Sequence, residues 1–304
     1  MTVGSRSDAG RTVRFAVLGT GYWADTVHAA VLAEHPEADL VAVWGRDPAR
    51  AEAVAERHGA VAEPDLDTVL GMVDAVAIAV PPDIQVDLAC RAAERGCHLL
   101  LEKPLALSVV GADRVVEAAD RAGVRSVVFF VRRFAEPSAM WFDEVVVPGE
   151  WHGGSVSWIA SIFGGGSPFG ESPWRKQHGA LWDLGPHALA ALLPALGPVE
   201  DVVAVRGHGD EVHLAFRHEG GGASSAMLAL TAPAAAEHTS MRFWGPAGIA
   251  EVPPGEPDSA TDGLMRAVSE LLAAVETGAA HPCDVHFARD IVSVLARAEH
   301  YLIR

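Results

Sequence analysis

A lysine stands directly after a short apolar run: His98-Leu99-Leu100-Leu101 leads into Glu102-Lys103-Pro104. A strand-end lysine is ordinarily a solvated residue. At the mouth of a ligand crevice, with its pKa lowered by partial burial or nearby positive charge, it can give a proton to a substrate oxygen or take one back. Further on, Asp183 and His187 are spaced i and i+4, so on a helix they share one face. A histidine near neutral pKa suits proton relay, and a carboxylate can orient it or the substrate. The same two residues also admit a quieter reading, a helix-capping aspartate and a partly buried histidine. An Asp–His pair suggests a metal as well. No third ligand stands at a convincing spacing, so no metal is expected.

A second centre lies near the start. Gly19-Thr20-Gly21-Tyr22-Trp23-Ala24 fits G-x-G-x-x-G/A. The first glycine permits a tight turn, the second lets backbone approach a pyrophosphate, and the small third residue lets helix and strand pack closely. The N–H groups of the helix starting there offer an anion site. A nicotinamide dinucleotide is therefore expected. Enzymes that use NAD usually carry an acid at the end of the second strand, whereas this chain reads Trp44-Gly45-Arg46-Asp47-Pro48. Asp47 before Pro48 has the form of a helix cap. Arg46 suits a 2′-phosphate, which favours NADP(H) over NAD(H), although a solvated surface arginine reads the same way. Pro81-Pro82 follows the strand-like run at 75–80, either shaping the nicotinamide pocket or simply starting a helix.

These residues need a scaffold to hold them. Strand-like runs at 15–18, 40–44, 75–80, 98–101 and 126–131 alternate with helical patterns at 23–34, 48–58, 65–71, 82–95 and 108–122. That alternation implies βαβ units and a doubly wound parallel sheet, a Rossmann domain over 12–131 after a polar tail at 1–11. From 132 to 304 the grammar changes. A helical stretch at 137–146 precedes a strand at 154–163, a glycine-rich loop at 164–179 and a helix at 182–196. Strand-like runs at 202–206, 211–217, 226–232 and 239–243 follow, then helices at 262–277 and 285–302. The whole is α/β, with a C-terminal α+β domain built on an open, mostly antiparallel sheet. An open face of that kind is commonly covered by a partner subunit. His208, His213 and His218 are expected to decorate a solvated hairpin.

Composition narrows the partners. With 40 acidic and 23 basic residues the formal charge is −17, which repels nucleic acid and anionic membranes. The longest apolar runs fall far short of a membrane span. The N-terminus lacks a signal-peptide core. Cys90, Cys97 and Cys283 show no metal spacing and read as buried reduced thiols, so a cytoplasmic protein is expected.

The Gly19–Ala24 turn, Glu102-Lys103-Pro104 and Asp183-Leu184-Gly185-Pro186-His187 together resemble the glucose-fructose oxidoreductase/inositol dehydrogenase/MocA family, in its order and approximate spacing. The resemblance implies a nicotinamide domain and an open-sheet domain with the active site between them. It also implies oxidation or reduction of a carbinol or carbonyl on sugars and related molecules, in dimers or tetramers formed through the open sheet. It matches Lys103 to the catalytic lysine, and Asp183 and His187 to the substrate-binding and proton-relay pair. Glu102, beside Lys103, falls with the cofactor contacts. Just before the catalytic helix, Trp174 and Arg175 are expected to meet substrate, while Lys176 and His178 read equally well as surface residues. Arg132 and Arg133 both end the last nucleotide-domain strand and can face the crevice, Arg133 being taken as the substrate contact and the other left to pair with an acid. The chain departs from the family in carrying Gln85 where a histidine is frequent and Ala190 where an aspartate is common, and it is short. The missing acid puts an ordinary inositol or hexose in doubt. The expectation is an NADP(H)-dependent ketoreductase acting on a sugar-like carbonyl. The alternatives are a non-catalytic dinucleotide-binding regulator, and a lyase or glycosidase whose cofactor shows no net turnover.

Overall fold

A computed structural model describes residues 12–163, 167–253 and 259–302. The tail at 1–11 and the Gly164-Gly165-Gly166 run lie outside the described residues. The first sheet is built from β1 (Val13–Leu18), β2 (Ala38–Trp44), β3 (Val61–Ala62), β4 (Ala75–Ile78), β5 (His98–Glu102) and β6 (Ser126–Phe129), in the order β3-β2-β1-β4-β5-β6 and parallel throughout. The order reverses between β1 and β4, so a crevice opens there at the carboxyl ends of the strands, beyond Leu18 and Ile78. Phe15–Leu18, Ala75–Ile78 and Leu99–Leu101 are buried on both faces, which is why they read as unbroken apolar runs.

The connecting helices start and stop on local signals. After a π-helical turn at Ala24–Ala29, α1 covers Ala30–Glu34. Next, α2 (Pro48–His58) is capped by Asp47, whose carboxylate accepts from the Ala49 and Arg50 N–H groups, and it ends at Gly59 in the left-handed region. Then come α3 (Leu66–Met72), capped by Asp65, α4 (Pro82–Glu94), and α5 (Val109–Ala122), capped by Ser108 and closed by Gly123. Two strands of this sheet end earlier than the apolar runs suggested. β4 stops at Ile78, and β6 at Phe129, before the 3-10 turn Val131–Arg133.

The second sheet contains β7 (Gly153–Ile159), β8 (Val199–Arg206), β9 (Val212–His218), β10 (Ala223–Ala229), β11 (His238–Gly245) and β12 (Gly248–Glu251), ordered β12-β11-β7-β10-β9-β8. Only β7 and β10 run parallel. Short α6 (Ser138–Trp141) and a π-helical turn (Phe142–Val146) precede it. One face of the sheet packs on α7 (Pro173–Leu196) and, at β8, on α9 (Val285–Leu302). On the other face Val203 and Val205 are exposed. His218 corrects the solvated-hairpin expectation. It is fully buried, bonded to the Gly197 carbonyl at 2.7 Å and Ser224 Oγ at 2.8 Å. Its side chain points inward from a strand whose alternate residues are buried, whereas His213 points out.

The last two helices return to the first domain. α8 (Ala260–Thr277) packs against β6 and α1, and His35 bonds to Ser269 Oγ at 2.9 Å. The Val128 N–H donates to the Cys283 carbonyl at 2.7 Å, and Arg289 pairs with Asp113 at 2.7 Å. Both domains are thus pinned at the same edge of the first sheet. Among the described residues no helix is long and apolar enough to cross a membrane.

Candidate active site

The glycine turn leaves β1 with the Gly19 N–H donating to the Trp44 carbonyl at 2.9 Å. Gly19 has φ +142°, and a Cβ there would overlap the Ala79 carbonyl oxygen, so only glycine fits. Gly21 has nothing within 4 Å of where its Cβ would stand. That open flank is the space a pyrophosphate requires. Ala24 is buried beneath the turn, while Tyr22 is exposed beside it. Gly45 closes against Thr20, whose side chain leaves no room for a Cβ. Arg46 is exposed next to it and meets no carboxylate among the described residues. Pro82 is buried in the first turn of α4, and the Pro81 carbonyl accepts from the Ile84 and Gln85 N–H groups. These prolines do start a helix.

The end of β5 is held from two sides. Glu102 accepts from Trp23 Nε1 at 2.6 Å and from buried His28 Nε2 at 2.9 Å, which ties the lysine's neighbour to the helix of the glycine turn. Gln85, fully buried, donates from Nε2 to the carbonyls of Glu102 (2.7 Å), Pro104 (3.1 Å) and Leu105 (3.3 Å), and its Oε1 accepts the Glu102 N–H at 3.0 Å. Glutamine fits this place because it has both donors and an acceptor. The Lys103–Pro104 bond is cis.

Lys103 then reaches across to α7. Its Nζ donates to Asp183 Oδ1 at 2.7 Å and to the Asp183 carbonyl at 2.8 Å. Arg175 Nε donates to Asp183 Oδ2 at 3.0 Å. Both carboxylate oxygens are engaged by cations, so Asp183 is not a helix cap. The segment expected as a loop up to 179 is helical from Pro173, and Gly179 (φ 61°, ψ −160°) breaks α7 into two pieces. That break lets Arg175, eight residues before Asp183, fold back onto it. Pro186 lacks an N–H and weakens the turn beside Asp183.

Burial pushes the Asp183 carboxyl up, but the charges of Lys103 and Arg175 outweigh it and hold the group at about 2. Burial first, then Lys103, pushes the His187 imidazole well below its ordinary 6.5, with Arg132 and Arg175 adding to the effect and Asp183 opposing it. His187 is therefore neutral at pH 7. It packs on the Trp158 ring with centroids 5.1 Å apart, and its buried Nδ1 has no hydrogen-bond partner among the described residues. A buried nitrogen of that kind calls for a ligand hydroxyl or a water.

The structure therefore gathers Lys103, Asp183, His187 and Arg175, with Glu102 and Trp23 leading to the glycine turn. Trp174 lies 4.7 Å from the Arg175 guanidinium. Lys176 is exposed and paired with Glu171. Arg133 does not join the cluster. Its Nη1 donates to the Ala190 carbonyl at 3.2 Å, and it lines a separate cavity with Leu193, Phe287 and Arg297. Arg132 instead sits 4.8 Å over Trp158, the ring that packs on His187. The 3-10 turn explains the division, since three residues per turn send adjacent side chains to different sides. Sequence reasoning missed Trp158, His28 and Phe169. The inward alternation of β7, which sets Trp158 in phase with buried Gly154 and Val156 on the face toward α7, could have suggested Trp158, whereas nothing local marks the other two.

Residues 13–130 match the model of an oxidoreductase family with an NAD-binding Rossmann fold, GFO_IDH_MocA. D-xylose 1-dehydrogenase (NADP(+)) 2 of Haloferax volcanii is 33% identical over 198 residues, covering 62% of this chain and 59% of the relative. The 2,7-anhydro-N-acetylneuraminate hydratase of Mediterraneibacter gnavus is 34% identical over 116 residues, 38% of this chain and 30% of that protein. This chain spans about half the length of the curated relatives it matches. Among solved structures, GenD2 from gentamicin A biosynthesis, in complex with NAD, superposes with a TM-score of 0.81 at 22% identity, covering 100% of this chain and 97% of that one. Residues 13–130 thus match the nucleotide-binding model of the glucose-fructose oxidoreductase/inositol dehydrogenase/MocA family, and the lysine, aspartate and histidine gather at the crevice beside it.

Proposed function

We propose that this protein is an NADP(H)-dependent oxidoreductase acting on a carbonyl or carbinol carbon of a sugar or similar small polar molecule, working as a ketoreductase. The observation that carries this reading is the placement of Lys103. An ammonium has three N–H donors, and Asp183 takes two of them. The third remains for a substrate oxygen at the carboxyl end of β5, beside the glycine turn. A bound nicotinamide supplies the hydride for carbonyl reduction, and Lys103 supplies the proton to the oxygen. Asp183, held ionised, fixes the direction of the Lys103 ammonium and is too acidic to carry the proton itself. His187, held neutral by burial and its cationic neighbours, can accept a hydrogen bond at one ring nitrogen and donate at the other, which suits relay to or from the lysine. Arg175, Trp174 and Arg132 frame the substrate space. The exposed face of the second sheet supports pairing with a second copy of the chain.

Gly45 and the exposed Arg46, which meets no carboxylate among the described residues, support the phosphorylated cofactor. Titration of NADPH and NADH by calorimetry into wild type and Arg46→Ala tests this, followed by a carbonyl panel read at the reduced-cofactor absorbance. NADPH should bind wild type about tenfold more tightly than NADH, the value of one charge-assisted contact, and Arg46→Ala should erase that margin. Tighter NADH binding by wild type would overturn the preference. The hydratase relative favours a second reading, bond cleavage with the cofactor returned to its starting state. Product formed on a sugar panel without any net absorbance change would select it.

A further inference from the structure

Phe169 comes from the stretch before α7, and no periodicity or motif marks it. Its ring meets Tyr22 edge-on at 5.9 Å and Trp23 at 5.6 Å between centroids. The Arg175 guanidinium lies 4.6 Å from the centroid of the same ring. Arg175 holds Asp183, Asp183 holds Lys103, Lys103 follows Glu102, and Glu102 accepts from Trp23. The contacts close a circuit through both domains, and Phe169 is the member that joins the glycine turn to the substrate side.

We propose that Phe169 is a positioning residue that transmits occupancy of the glycine turn to the Lys103–Asp183 pair through Arg175. This rests on reading Gly19–Ala24 as the dinucleotide turn. A pyrophosphate bound there fixes the backbone of the turn, and with it the Tyr22 and Trp23 rings that support Phe169. A ring face attracts a guanidinium through its quadrupole, so Phe169, together with the Trp174 ring and the Asp183 carboxylate, sets where Arg175 sits. Arg175 is one of two cations sharing the Asp183 carboxylate. Moving it changes how firmly the other, Lys103, is held.

The test uses ADP-ribose and its 2′-phosphate, which fill the pyrophosphate turn but carry no nicotinamide ring to shield Lys103 directly. Acylation of Lys103 by acetic anhydride is followed by peptide mass spectrometry against pH, with and without these probes. Wild type, Phe169→Tyr, Phe169→Leu and Phe169→Ala are compared, with calorimetry reading probe binding. Phe169 is only partly buried, and Phe169→Leu keeps apolar bulk while losing the π face, so folding does not decide the result. In wild type and Phe169→Tyr the better-bound probe should change the Lys103 acylation rate by about fivefold or more, the low end of coupling between sites. Phe169→Leu and Phe169→Ala should bind the probe and lose that response. An unchanged response in Phe169→Leu overturns the proposal, as does a wild type that binds the probe without one. If wild type binds neither probe nor NADPH, the dinucleotide reading itself falls.

Discussion

Replacing Lys103 by methionine keeps most of the apolar stem, deletes the charge, and leaves Asp183 to Arg175 alone. The Asp183 side chain is 4% exposed, that of Lys103 11% and that of Arg175 17%, so solvent screens the group little. Burial opposes the Asp183 charge, yet the two cations hold the carboxyl at about 2 against an ordinary 3.8. That difference amounts to about 2 kcal/mol of stability, complete above about pH 4 and lost as pH falls through 2. Removing the sole partner of a buried charge costs about 3–5 kcal/mol. Because Arg175 stays, Lys103→Met should cost somewhat less, about 2–3 kcal/mol at pH 7. Asp183→Asn should cost a similar amount, since it leaves two cations with no carboxylate between them. The double variant removes both charges of the contact and should fall short of the summed single costs by about 1–2 kcal/mol. Urea unfolding of the four proteins at pH 7 gives the cycle. Single costs that add to within about 0.5 kcal/mol would refute a coupled pair at this site. A Lys103→Met protein as stable as wild type would do the same.

Two further outcomes follow from buried polar groups. Gln85→Leu leaves the Glu102 N–H and the Glu102, Pro104 and Leu105 carbonyls without this partner, which should cost about 3 kcal/mol in urea unfolding; a variant that unfolds at the wild-type midpoint would show that the latch is dispensable. Folded His187 is neutral where an unfolded histidine with its ordinary 6.5 takes up a proton, so its contribution to stability is present above 6.5 and lost as pH falls below it. His187→Gln should therefore flatten the decline below that pH by up to about 1.4 kcal/mol per pH unit, one proton's worth, measured as unfolding free energy against pH. A decline as steep as wild type would mean that His187 is protonated in the folded protein.

Much of this protein could be read along the chain. The parallel sheet followed from apolar runs alternating with amphipathic stretches, and Asp47, Ser108 and the glycine stops followed from turn and cap chemistry acting within a few residues. Lys103, Asp183 and His187 were visible because a motif fixes their type and spacing. What failed to show was whatever depends on the path of the chain between distant segments. The loop expected up to 179 hid a helical turn, because its Gly/Ser/Pro-rich start masks the Pro173 start and Gly179 breaks the helical pattern. His218 gave no sign of burial, since only strand register turns it inward.

By its residues alone the sequence determined a dinucleotide-type glycine turn, a lysine at a strand end and an Asp–His pair on one helix face, because each is a local pattern of sterics and hydrogen-bonding groups. The tertiary structure decided that Asp183 serves two cations rather than capping a helix. It also decided that Arg132 rather than Arg133 lies beside His187, that Gln85 latches the lysine loop, and that Phe169 bridges the two domains. The physical reason is the same in each case. The energies come from burial and charge shared among segments far apart in sequence, and only the packed chain brings those segments within a few ångströms.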